Sequence, residues 1–258
     1  MNHLRKFFPS CFIAATLAAI LLSSGCSSST SVTTNEGTIT MKSSLTTSDV
    51  NRAMQVKGPT PASVDFDSIV VTNALVFVSN VKLHSDMDDT DSDTHDQTIK
   101  TGPFVLVFDS SGEHVVTTAS IPAGTYDRVK FEFHHPNKNA DAAILAQYPQ
   151  LQNGGQTYNV WIYGYTWKDG VPTSFSVVSL ASKNVMLRFE DNALKNRDNF
   201  VLNANSTATL LFELDPRIVF HLNGILTGGT LLDPRDLTIT NQGDIDNNIL
   251  VAIRVVEF

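Results

Sequence analysis

Cysteine is nearly absent: the 258 residues hold 2, Cys11 and Cys26. That rules out a disulfide-stapled scaffold, and the spacing offers no Cys-type metal site. Charge is sparse at 17% of residues and leans acidic, with 18 basic against 26 acidic side chains and a net charge of −8. No basic stripe is present to neutralise phosphates, so nucleic acid is not an expected partner. The templates GxSxG, HExxH, GxGxxG and the Walker lysine loop are all missing, so no enzyme activity is expected. What is present is apolar material. At 42% hydrophobic residues with 15 Phe, the chain can bury a core and offset the entropy of ordering.

The first residues read as an address. Arg5 and Lys6 precede an apolar run over 7–22. That run is short for a membrane helix of roughly 20 residues and suits a signal h-region. Ser23-Ser24-Gly25-Cys26 follows, and small residues before a Cys at this place resemble a bacterial lipoprotein lipobox. The resemblance implies cleavage before Cys26 and lipid on its thiol, palmitate included. Several acyl chains anchor stably where one does not. Cys26 then becomes the single cysteine of the mature chain, and lipidation explains a thiol that would otherwise stand free in an oxidising compartment. Loss of the leader leaves 16 basic and 26 acidic side chains, a net −10. Such a chain reaches an anionic membrane through lipid rather than through a basic face. The expected location is the bacterial cell envelope, with the outer membrane as the anchoring surface, facing periplasm or exterior. The expected organisation is a signal peptide over 1–25, a Ser/Thr-rich tether over 26–36 and one domain over 37–258.

From Gly37 onward, short runs of Val, Ile, Phe, Tyr and Thr alternate with turn clusters, which predicts strands. Expected strands are Gly37–Met41, Ser68–His84 (bent near Asn73), Phe104–Phe108, His114–Thr118, Tyr126–His134, Tyr158–Trp167, Ser174–Leu180, Val185–Phe189, Thr207–Leu214 and Ile249–Val256. Asp109-Ser110-Ser111-Gly112 and Lys168-Asp169-Gly170-Val171-Pro172 read as hairpin turns. In Tyr126–His134, Val129, Phe131 and Phe133 share one face, and Arg128, Lys130, Glu132 and His134 the other, expected in water. Helix is expected at Ala140–Gln147 and at Pro216–Leu222, the latter with Asp215 as N-cap and Pro216 at N1. The fold class is therefore all-β, a mainly antiparallel β-sandwich with one or two short helices.

The segment Ser120-Ile121-Pro122-Ala123-Gly124-Thr125-Tyr126, running into a strand, resembles a motif of DUF4382-type bacterial lipoprotein domains and of MbnP-like periplasmic proteins. Val76–Leu83 and Asn203–Asp215 resemble further pieces of the same domains. The resemblance implies a prealbumin-like or immunoglobulin-like β-sandwich and a carbohydrate or envelope partner. Its MbnP-like branch implies a small-ligand or metal-binding protein instead. In the turn itself, Pro122 presets one dihedral, Gly124 is expected to supply a positive φ, and Tyr126 can tie the turn to the sandwich edge.

Two clusters carry candidate chemistry. Asp86, Asp88, Asp89, Asp91 and Asp93 crowd one loop, and hard cations such as Ca2+ or another divalent ion take several oxygens from one turn. Thr94 and Lys100 stand where an EF-hand needs Gly and Glu, so a solvated hairpin tip is the competing reading. Asp244–Asn248 reads as a turn or cap before the last strand. In the strand ending at Trp167, Trp161, Tyr163, Tyr165 and Trp167 fall at every second position and share a face. Exposed, such a row stacks on sugars; buried, it is core. The opposite face is apolar too, so the pattern leaves the choice open. Mid-strand position favours burial of Trp161 and Tyr163, and the adjacent turn favours exposure of Trp167. A terminal strand running to Phe258 resembles the assembly signal of membrane β-barrels, against which the lipobox and the continuous apolar runs both count. The expectation is a non-catalytic, lipid-anchored envelope protein that binds glycan or an envelope partner. The alternative is a periplasmic small-ligand or metal-binding protein.

Overall fold

The computed structural model describes residues 35–45, 55–56, 66–85, 96–189, 199–221, 232–235 and 239–257. In chain order these form β1 (Glu36–Leu45), β2 (Gln55–Val56), β3 (Ser68–Ser85), β4 (Asp96–Asp109), β5 (His114–Pro122) and β6 (Gly124–Glu132). Helix α1 (Ala142–Gln147) and a 3-10 turn lead to the two-residue strands β7 (Gln152–Asn153) and β8 (Gln156–Thr157). There follow β9 (Val160–Lys168), β10 (Val171–Ser179), β11 (Asn184–Arg188), β12 (Phe200–Leu202) and β13 (Thr207–Leu214). Helices α2 (Pro216–Val219) and α3 (Ile239–Ala252) and strand β14 (Ile253–Glu257) close the order.

A small sheet runs β14-β13-β1-β5, and a large one runs β10-β9-β3-β6-β11 with β2 and β4 on β3 and β12 on β6. All these pairings are antiparallel except β1 with β13, which is parallel. Strand β3 is the spine. It pairs with β9 over Ser68–Val76, with β6 over Asn80–Ser85 and with β4 over Asn73–His84. The overlaps place β4 on one edge and put β9 and β6 end to end on the other. The inner faces of the two sheets meet in one core. Ile39, Met41, Leu210 and Phe212 come from the small sheet; Val76, Val78, Leu106, Phe131, Val160 and Ile162 come from the large one. Phe131 and Phe212 touch edge to face across the gap at 4.9 Å.

Local chemistry sets the bends. Between Val71 and Asn73 the β3–β9 register slips, and Thr72 Oγ1 donates to the Tyr163 carbonyl at 3.2 Å. The bend expected near Asn73 is this bulge. Gly164 faces it, and a Cβ there would lie 2.1 Å from the Val70 carbonyl oxygen, so only glycine lets β9 approach. In β4, Gly102 (φ +87°) and Pro103 sit in a second bulge, which lets a proline interrupt a 14-residue strand. At α2 the expected cap is present: the Asp215 carboxylate accepts from the Arg217 backbone N–H at 3.0 Å, with Pro216 leading the helix.

Several expectations are corrected. Asp109–Gly112 does not close a hairpin, because β4 belongs to the large sheet and β5 to the small one. The turn is an arch between layers. Asp109 Oδ1 accepts from the Ser111 N–H at 2.8 Å and meets His114 Nε2 at 2.9 Å. Gly124 has no positive φ and begins β6 in extended form. The corner from β5 to β6 is held instead by Tyr126, whose hydroxyl donates to the Pro122 carbonyl at 2.6 Å. Arg128 is buried rather than in water, because β6 lies inside the sheet between β3 and β11. Its guanidinium meets Asp127 at 2.7 Å. Residues 244–248 lie inside helix α3, and the last strand begins at Ile253 rather than at Ile249. Ile245 and Ile249, one turn apart, bury themselves in the core and carry this polar segment into a helix.

Candidate functional site

The structure settles which face of β9 points inward. Val160, Ile162, Gly164 and Thr166 are buried, and Trp161, Tyr163, Tyr165 and Trp167 are half-buried on the outer face of the large sheet. The expected burial of Trp161 and Tyr163 as core is therefore overturned. The reason is volume: the inner face must meet the small sheet and close on β3 at Gly164, which leaves no room for four large rings. Trp167, expected to be exposed beside the turn, is half-buried like the other three rings, and its Nε1 is buried.

That turn is a two-residue hairpin, Asp169 (φ +48°) and Gly170 (φ +81°), with Lys168 opposite Val171. The Asp67 carboxylate accepts from the Asp169 N–H at 2.9 Å and locks the hairpin to the start of β3. Cross-strand neighbours on β10 are Val178 beside Trp161, Ser176 beside Tyr163, Ser174 beside Tyr165 and Pro172 beside Trp167. Ser174, Ser176 and Pro172 are exposed.

The four rings are not equivalent. Trp161 and Tyr163 are parallel within 4°, with centroids 5.8 Å apart, so each turns a face toward the other. Tyr165 stands edge-on to Tyr163 at 5.5 Å and 72°. The Tyr163 hydroxyl donates to the Tyr165 hydroxyl at 3.1 Å. Trp161 also packs on a satellite cluster in which Leu145 and Leu151, at the α1 end, cover Leu75, Phe77 and Val105 of the sheet. Helix α1 thus covers one part of the outer face and packs against Trp161. Tyr163, Tyr165 and Trp167 lie outside that cluster, half-buried, with the exposed Ser174 and Ser176 alongside.

The other candidates stand elsewhere. Cys26 and Asp86, Asp88, Asp89, Asp91 and Asp93 lie outside the described residues. The base of the acidic loop is described: β3 and β4 pair antiparallel as far as His84 opposite Asp96, so the loop joins the ends of a long hairpin. Among the described residues no three His, Cys, Asp or Glu side chains gather where they could hold a metal ion. No described helix is long and apolar enough to cross a membrane. His134 and His135 are exposed after β6. The α1 cap over part of the row was beyond sequence reasoning, because it depends on where a six-residue helix docks.

Fold and face together define an all-β sandwich, mainly antiparallel, that presents an aromatic row on its larger sheet. No family model matches the chain, so the resemblance to DUF4382-type domains finds no support there, and no curated protein matches it. Among solved structures, MbnP from Methylosinus trichosporium is similar over 72% of this chain and 77% of its own, at 14% identity and a TM-score of 0.44.

Proposed function

We propose that this chain is a lipid-anchored envelope protein that binds glycan, without catalysis, on the outer face of its large sheet around Tyr165 and Trp167. The observation that supports this most is the outward orientation of the aromatic row beside exposed serines. Water penalises exposed rings, and sugars offer C–H faces that stack on them while their hydroxyls bond nearby polar groups. The free proton of the Tyr165 hydroxyl and the Ser174 and Ser176 hydroxyls supply such groups within the same cross-strand rows.

The test isolates one indole. In a Trp161→Phe background, Trp167 fluorescence should be quenched by iodide, and a binding oligosaccharide from a panel should protect it. Tyr165→Ala and Trp167→Ala should each weaken that binding about ten-fold, since one stacked ring is worth roughly 1 kcal/mol or more. Both variants should melt close to the parent. A Trp167 that iodide cannot reach in the free protein, or binding unchanged in both variants, overturns the reading.

A further inference from the structure

A second concavity lies apart from Tyr165 and Trp167, where the β4–β5 arch brings the small sheet beside α1. Its volume is about 330 Å3, at the lower end of the range for small-molecule sites. Its apolar lining includes Phe104, Val105 and Val107 of β4 and Ile144 of α1. Its polar groups offer protons. Lys100 Nζ stands 5.2 Å above the Phe104 ring and makes one long bond, 3.5 Å, to the Val116 carbonyl. Lys42 and Lys82 meet Glu113 and Glu132 at 2.7 and 3.2 Å, whereas Lys100 has no carboxylate in ion-pair reach among the described residues. The Tyr148 hydroxyl accepts from Gln147 Nε2 at 3.2 Å, so its own proton is left to donate. His114, also in the lining, is held through Nε2 by Asp109.

An ammonium with no carboxylate partner among the described residues favours an anion over a neutral guest. Half-buried Val107 and Ile144 and exposed Val115 offer a flat or branched apolar body a surface to lie on. We infer that this cleft binds a small carboxylate with an aromatic or branched apolar body. The carboxylate sits on Lys100 and Tyr148, and the body on Val107 and Ile144. The site is independent of the glycan platform.

The probes are 4-(trifluoromethyl)benzoate and its uncharged amide, followed by fluorine NMR on the full chain. They differ in charge and hardly in shape. The benzoate should bind saturably and at least about ten-fold more tightly than the amide, as a charge-assisted pair requires. Lys100→Gln should remove that preference. Tyr148→Phe should weaken benzoate binding while the protein melts as the parent does, and Trp167→Ala should leave it unchanged. Equal binding of benzoate and amide, a preference that survives Lys100→Gln, or no saturable binding up to on the order of 10 mM overturns the assignment.

Discussion

Tyr126 ties a corner of the sandwich with one atom. Its ring is buried and lies parallel to Phe200 within 30° at 6.0 Å, and its hydroxyl reaches back four residues to the Pro122 carbonyl. Burial pushes the phenol above its ordinary pKa. A group whose folded pKa is raised contributes stability that is complete below its unfolded value and is lost as pH rises through the folded one. Stability should therefore decline above about pH 10, the ordinary phenol range. Tyr126→Phe should flatten that alkaline decline and, at neutral pH, destabilise by about 1 kcal/mol, the worth of one buried hydrogen bond. Urea titrations at neutral and alkaline pH check both, and a decline that is equally steep in the variant removes Tyr126 as its source. Sequence alone suggested a tie between Tyr126 and the turn. It misassigned Gly124, because a sharp change of direction suggests a hairpin, whereas here the chain passes between layers in extended form.

At the scale of elements, α3 shows propensity yielding to packing. Its sequence, ITNQGDIDNNILVA, is rich in Asn, Asp and Gly, which disfavour helix. It is helical because Ile245 and Ile249 enter the core and because buried Asn248 donates from Nδ2 to the Val219 and His221 carbonyls, clasping α2 and the residues after it. Asn248→Ala should leave two buried carbonyls without that donor and cost roughly 1–3 kcal/mol. A chemical-denaturation midpoint unchanged from the parent would show that the clasp contributes nothing. Strands were easier to read than helices. β13 has the expected bounds, Thr207–Leu214, and the β9–β10 hairpin follows from Asp169-Gly170. Both rest on local rules, strand alternation and turn chemistry. The arch at Asp109–Gly112 uses the same turn residues to a different end, since partner choice depends on the rest of the chain.

For the whole molecule, acidic charge and anchoring belong together. We propose attachment through Cys26, and Cys26→Ala should abolish incorporation of labelled palmitate and release or retain uncleaved protein. Unchanged incorporation contradicts the anchor. The acidic loop follows His84 at the end of the long β3–β4 hairpin. If Asp89, Asp91 and Asp93 take calcium, binding to the folded chain alone raises its melting temperature by mass action. The rise should appear in thermal scans with millimolar calcium and vanish when all three become Asn. A parent protein indifferent to calcium leaves the loop as a solvated tip whose charges guard a hairpin end.

Local sequence pattern specified the all-β class, most strand positions, the Asp169-Gly170 turn, the α2 cap and the common face of Trp161, Tyr163, Tyr165 and Trp167. Each follows from periodicity or from a residue's own backbone preferences, which act within a few positions. Long-range packing selected which face of β9 meets the core, which layer receives β5, and where α1 docks over Leu75 and Phe77. Both faces of β9 are apolar, so alternation alone is symmetric between them. The choice is made by the space at Gly164, where only a strand turned with its rings outward can lie against β3.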